Sequence, residues 1–293
     1  MNPVISNTVA RIGGFRPPTR TAKTVAPTPG PLDYLSASRL NCWQQCRLKF
    51  WFRYVQRIES KPSPALLVGQ AVHRVLQAWN QARWQGETPT AESLRDPFTT
   101  GWSILNEEYA IPWKTMDEED EFRDQAWSLF ETYLAATPIP NDEKPEGVEV
   151  SVECEFDGLP PLLGVIDLVR AGGRIVDFKT SARTPSERQA VHQHETQLAC
   201  YAVLYREATG TSEAALELHH LVKLKTPKIV VTVLDPMTES QEARLRQLMD
   251  RCVQGVLAGD FVPSPGGVPP FFEPPLMRVW VVIGFGCPSE RRP

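Results

Sequence analysis

The sequence lacks several things that would have fixed its class at once. Its six cysteines contain no CxxC pair and no regular spacing, so neither a zinc-ribbon nor a disulfide framework is indicated. No apolar run reaches the ~18 residues of a membrane span. The N-terminus has no apolar core segment of a secretory signal. The expectation is therefore a cytoplasmic protein with reduced thiols and no membrane partner. There is no GxxxxGK[ST] loop, so the chain has no motor of its own for unwinding nucleic acid. Positive charge is also short. The formal net charge is -4 over 293 residues, whereas nucleic-acid binders are usually basic overall. Any contact with DNA must come from a local basic patch.

The composition that remains, 42% hydrophobic and 23% charged, suits a globular chain with a substantial core. Residues 1–33 form a proline-rich basic tail. Up to residue 31 they hold Arg11, Arg16, Arg20 and Lys23, no acid and six prolines, and disorder is expected. The alternatives for this segment are a plain flexible tail and an arm on phosphates. Order is expected from Leu35. Helices are expected from Ser36 or Ser38 to about Arg57, from Pro64 to Arg83, and over roughly 90–109 and 118–136. The acidic run Asp117–Glu121 would then be a solvated helix start.

After Pro138 and Pro140 the pattern changes to strands at 148–156, 162–170 and 174–179, the last two joined by a hairpin at Ala171–Gly173. In the first, Val148, Val150, Val152 and Cys154 alternate with Glu149, Ser151, Glu153 and Glu155, giving one buried and one solvent face. A helix over 187–208, strands at 216–224 and 228–234 and a helix over 238–257 follow. Residues 263–293, with eight prolines, form an irregular tail. A single domain over 34–262 is expected.

Four short runs carry chemistry. Asp177 and Lys179 stand two apart on a strand and point to one face. A carboxylate able to hold a metal beside an ammonium near water is what phosphodiester cleavage requires. An ordinary ion pair is the alternative, and Asp142-Glu143-Lys144 matches the same tripeptide in a polar linker. Asp177 differs in context, with Ile175 and Val176 before it and Asp167 across the hairpin. Asp167 follows Gly164-Val165-Ile166, and an acid in an apolar strand needs a partner or a metal. Two such acids repel unless a cation lies between them.

His73 borders an apolar stripe of Leu66, Val72, Val75, Leu76 and Trp79. Gly69, one turn earlier, hints at a close approach there. Gln197 and Tyr201 share a helix face. Lys49, Arg53 and Arg57 recur every fourth residue among Trp43, Phe50, Trp51, Phe52 and Tyr54. That pattern reads either as a solvated face or as a phosphate-tracking stripe with aromatics beside the strand.

Taken in order, Leu35–Ser38 with the following aromatic-basic helix, Gly69–His73, Gly164–Asp167, Asp177–Lys179 and Gln197–Tyr201 resemble the RecB-type branch of the PD-(D/E)XK nuclease superfamily. Relatives of that branch include the AddB nuclease domain and CRISPR-associated exonucleases. The resemblance covers about residues 34–262. It implies an α/β, restriction-endonuclease-like domain with a mixed central sheet flanked by helices and a helical N-terminal portion.

It also implies metal-dependent DNA cleavage, exonucleolytic on single strands or duplex ends, in recombination, repair or phage DNA processing, with a separate helicase or recombination protein as partner. His73, Asp167, Asp177 and the Phe178 carbonyl would hold Mg²⁺ or Mn²⁺, and Lys179 would act on the water. Gln197 and Tyr201 would shape the site and contact DNA, and Glu153 would support it. Many relatives carry an iron–sulfur cluster on one cysteine near the first helix and three near the C-terminus. Here Cys46 or Cys42 fits the first place, but only Cys287 stands in the tail, so no cluster is expected. The other reading is a catalytically silent DNA-binding or scaffold subunit of a helicase–nuclease complex. The intact His-Asp-Asp-Lys set argues against it.

Overall fold

The computed structural model describes residues 30–59 and 62–264. The two expected tails fall almost entirely outside the described residues, apart from 30–33 and 263–264. Twelve main elements follow one another: α1 (Ala37–Gln45), α2 (Arg47–Phe50), α3 (Pro64–Trp84), α4 (Arg95–Tyr109), α5 (Met116–Ala136), β1 (Gly147–Phe156), β2 (Leu159–Arg170), β3 (Arg174–Ser181), α6 (Glu187–Thr209), β4 (Ala215–Val222), β5 (Lys228–Leu234) and α7 (Glu239–Leu257). Element types match the sequence expectation throughout, and the ends are fixed by local chemistry. Ser63 caps α3 with Pro64 in its first turn, where a missing N–H does no harm. Capping boxes, Ser186 with Gln189 and Thr238 with Gln241, start α6 and α7. Gly210, at φ 71°, ends α6.

One expected helix is broken. Instead of one run to Arg57, α1 stops at Cys46, whose backbone is extended (φ -166°). After α2 the chain widens into a π-helical turn over Trp51–Val55, and Arg57 takes a left-handed φ of 57°. Lys49, Arg53 and Arg57 therefore do not follow one regular helical face. Leu66 is likewise 45% exposed, and Leu67 and Val68 take its place in the buried stripe of α3.

The five strands lie in the order β1-β2-β3-β4-β5. All neighbours are antiparallel except β3 and β4, which run parallel and are joined through α6. This mixed sheet has a core on each face. One is built with α1, α6 and α7, the other with α3, α4 and α5. On β3 the alternation sorts cleanly: Ile175 packs in the first core, Val176 and Phe178 in the second, which leaves Asp177 and Lys179 on the α6 side.

The sheet forks. β2 pairs with β3 only over Leu168–Arg170, although its pairing with β1 continues to Leu159. Beyond Leu168 the edge vacated by β3 is partly taken by Leu35, whose amide donates to Pro161 O (2.7 Å) and whose carbonyl accepts from Leu163 N (2.8 Å). Gly164 lets α6 sit close over this stretch, since a Cβ there would lie 2.5 Å from Leu204 Cδ1. The β1 alternation expected from sequence also fails at one point. Val148 packs in the α3–α5 core but Val150, Val152 and Cys154 in the other, and the change of face occurs at Glu149, which has φ 50°. No helix among the described residues is long and apolar enough to cross a membrane.

Candidate active site

The fork brings the chemical residues together. Asp167 is the first β2 residue beyond the β2–β3 pairing. The Phe178 amide, which has no strand partner on that side, donates to Asp167 Oδ2 at 2.9 Å. From α3, His73 Nδ1 reaches within 3.6 Å of the same oxygen, too long for a hydrogen bond. The closeness that Gly69 suggested is present, since a Cβ on Gly69 would lie 3.2 Å from Thr180 Oγ1. On the α6 side, Lys179 Nζ lies 2.9 Å from Asp177 Oδ1 and 2.7 Å from Oδ2. Gln197 Nε2 donates to Asp177 Oδ1 at 3.0 Å and to the Tyr201 hydroxyl at 2.9 Å. The i, i+4 face read from sequence thus carries Gln197, which contacts the buried acid, and Tyr201, which reaches it through Gln197.

The electrostatics are those of buried acids with too little compensation. Burial raises Asp177 and Asp167 above their ordinary carboxylate range. Lys179 offsets this in both, the Phe178 amide also does so in Asp167, and Asp167 pushes Asp177 further up. Burial, with Lys179 nearby, lowers His73, so its imidazole is neutral at neutral pH and keeps a lone pair for a metal. Burial and the two aspartates raise Tyr201, so its hydroxyl stays protonated.

Three residues near this site were not singled out by the sequence reading. Glu149, assigned there to a solvent face, falls between the pairs Val148–Leu168 and Val150–Ile166, which bracket it against Asp167. Burial, with Asp167 adding to it, pushes it up to about 7. Glu153, the expected support, is instead exposed and opposite Leu163. His194 and His220 stack with ring centroids 5.6 Å apart. Burial, with Lys179 contributing, lowers both, His194 to about 4. One of these had a sequence signal, because His194 lies three residues before Gln197 on the same helix face. Lys49 and Arg53 have their contacts away from this cluster. Lys49 and Arg53 act on Cys42, and the Arg53 guanidinium lies over Tyr54.

Among the described residues no three His, Cys, Asp or Glu side chains converge as a ready ligand set, and the Lys179 ammonium lies against Asp177. The donor set nevertheless suits a hard divalent cation. Asp177 is fully buried, yet its Oδ2 has no hydrogen bond of acceptable geometry. Such an atom normally has a partner. Five cysteines, Cys42, Cys46, Cys154, Cys200 and Cys252, are buried and free, and Cys287 lies outside the described residues. The large cleft of about 860 Å³ between the β1–β2 turn and helices α6 and α7 is elsewhere. Its arginines are already paired, Arg206 with Glu213 and Glu242, and Arg246 with Glu242, and Glu155, Asp157, Glu207 and Asp250 complete its charged lining.

Comparison with known proteins agrees with this architecture. A crystal structure from Eubacterium rectale, named "Putative exonuclease", superposes with a TM-score of 0.51 at 18% identity, covering 81% of this chain and 86% of that one. At that identity the likeness speaks for the fold alone. The structure of SSO0001 aligns at 13% identity over 74% of this chain and 85% of that one, with a TM-score of 0.32 that supports no conclusion. Among curated proteins nothing matches. The family model of the PD-(D/E)XK nuclease superfamily matches residues 34–267, a span that contains every element of the sheet fork, and the chain belongs to that superfamily.

Proposed function

We propose that the protein is a divalent-metal-dependent deoxyribonuclease of the RecB type, cutting phosphodiester bonds from single-stranded or duplex ends. Its setting would be cytoplasmic recombination, repair or phage DNA processing, with a separate helicase or recombination protein supplying unwinding. The observation that carries this reading is the meeting of Asp177, Lys179, Asp167 and Gln197 at the fork. His73, Asp167, Asp177 and the Phe178 carbonyl would hold Mg²⁺ or Mn²⁺. When bound, the cation neutralises phosphate charge and favours the ionised form of water.

The chain's own residues do the rest. Lys179, released from Asp177, orients the attacking water and stabilises charge that appears only in the transition state. Neutral His73 offers a lone pair without adding repulsion. Gln197 holds Asp177 in place through Nε2 and fixes the Tyr201 hydroxyl, whose own proton can be donated to a phosphate oxygen. Lys49, Arg53 and Arg57 would grip DNA away from the reacting bond. Changing all three to Ala should weaken binding and flatten its salt dependence.

The test is digestion of labelled free-ended and end-blocked DNA with Mg²⁺, with Mn²⁺ and with chelator. Cleavage should need metal and a free end and should vanish in Asp177→Ala. Cleavage that persists in chelator or in that variant would sink the metal-nuclease reading. Equal cutting of end-blocked circles would leave a nuclease but remove the exonuclease.

A further inference from the structure

Glu149 sits where β1 changes face. Its φ of 50° lies in the left-handed region, inside a strand whose neighbours Val148 and Val150 are buried in opposite cores. L side chains disfavour this conformation, and such outliers persist where the surrounding structure holds them, often at functional sites. The result of the distortion is positional. Glu149 falls between the pairs Val148–Leu168 and Val150–Ile166, which bracket it against Asp167 on β2, within the range of cross-strand neighbours. Among the described residues no hydrogen bond or ion pair holds its carboxylate, although it is only partly exposed. Its charge reaches the buried site, acting on Tyr201.

The local charge balance points the same way. Asp167, Asp177 and Glu149 are three acids in one partly dry place. Lys179 is the ammonium among them, 2.9 and 2.7 Å from the two oxygens of Asp177. With all three ionised, two negative charges are in excess, which matches one divalent cation. The buried Asp177 Oδ2 has the Lys179 ammonium at 2.7 Å as its counter-charge, and no further hydrogen bond reaches it among the described residues.

We propose that Glu149 is a third carboxylate of the cation site, approaching from β1 toward Asp167, so that α3, β1, β2 and β3 each contribute one element of the cradle. The backbone distortion at Glu149 is then what turns its carboxylate out of the solvent face and toward the fork. This inference rests on the metal reading above, and the experiment keeps the two apart.

Mn²⁺ is titrated calorimetrically into the metal-free full chain without DNA, using the parent, Glu149→Gln and Glu149→Gly. The parent should bind Mn²⁺. Glu149→Gln should bind roughly 10–100-fold more weakly, the range seen when supporting groups of metal sites are removed. Glu149→Gly should lose affinity equally, yet melt in chelator at a temperature no lower than the parent, because glycine adopts this φ without strain. That second variant guards against a mere folding defect. Mn²⁺ affinity within about twofold of the parent in both variants, against that 10–100-fold range, overturns the role of Glu149 and leaves the metal reading standing. A parent that binds no Mn²⁺ overturns both.

Discussion

The sheet buries two groups of acids, and they are treated in opposite ways. On the α3–α5 side, Glu217 is 1% exposed but generously paired. It accepts from Arg170 Nη1 (3.1 and 3.0 Å), Arg174 Nε (2.5 Å) and His219 Nε2 (2.9 Å). Arg170 is bound in turn by Glu143 through Nε (2.8 Å) and Nη2 (2.6 Å), and Tyr133 closes the chain on His219 Nδ1 at 2.8 Å. Burial alone would raise Glu217, but the hydrogen bonds from His219 and Arg174 and the charge of Arg170 bring it down to about 2. At the fork, Asp177 is as deeply buried, but Lys179 is the one full positive charge set against the acids, helped at Asp167 by the Phe178 amide, and the acids go up instead. The first group is balanced within the protein. The second is left short by an amount that a bound cation would supply. Burial of an acid therefore says little about function, whereas burial without enough partners points to a site.

The largest effect that can break this comparison is on the balanced side. Glu217→Ala leaves Arg170 and Arg174 facing an empty buried place and should destabilise by about 3–5 kcal/mol, read by denaturant unfolding. A loss below about 1 kcal/mol, the size of an exposed pair, would mean that the network is not what it looks like. Nuclease activity at a temperature where the variant remains folded should be retained.

Next comes Lys179. Lys179→Ala should keep the fold, metal binding and most DNA affinity, while single-turnover cleavage falls by roughly 10²–10³, the size of one lost electrostatic stabiliser. Lys179→Arg should not rescue fully, because a planar guanidinium does not replace a compact ammonium beside a water. If affinity collapses while bound DNA is cut at the normal rate, Lys179 is a phosphate anchor and not part of the chemistry.

A smaller but more telling effect is the pH profile of thermal stability in chelator. Glu217 is depressed from an ordinary value of 4.5 to about 2. Its contribution is full above the ordinary value and is lost as pH falls toward 2. Glu149 is raised from 4.5 to about 7, and Asp167 and Asp177 are raised as well. Their contribution is full at low pH and is lost as pH rises through the folded values, toward 7 for Glu149. Melting temperature should thus fall on both sides of a maximum near the ordinary carboxylate range. Glu217→Gln should flatten the acid limb and Asp177→Asn the upper one, and Mg²⁺ should flatten the upper limb of the parent. A single variant that flattens both limbs would show that the two groups are not separate.

The sequence carried most of this fold, because its signals were local. Proline at the start of α3, glycine after α6 and the alternation of β3 place those elements within a residue or two. Asp177, Lys179, Gln197 and Tyr201 were legible for the same reason, since strand period and helix period alone put them on shared faces. What was not legible depended on departures from period. The break at Cys46 and the π turn after Phe50 lie inside an apolar-aromatic run that gives no warning. The β1 strand reads as a perfect alternation, so the change of face at Glu149 was invisible, and Glu153 was chosen in its place. Asp142-Glu143-Lys144 matches the site pattern in a polar linker, and there Glu143 holds Arg170.

The comparison of the two acid groups comes down to one measurement, the melting temperature of Asp177→Asn relative to the parent, taken at neutral pH in chelator and again in Mg²⁺. In chelator the variant removes an under-compensated buried charge while keeping its shape and its acceptor for Gln197. It should melt higher than the parent, by about 2–4 °C for each kcal/mol of repulsion relieved in a domain of this size. In Mg²⁺ the parent gains cation binding that the variant has lost, so the order should reverse. A variant that melts lower than the parent in both conditions by the same margin would show that Asp177 is an ordinary structural acid. It would contradict the account.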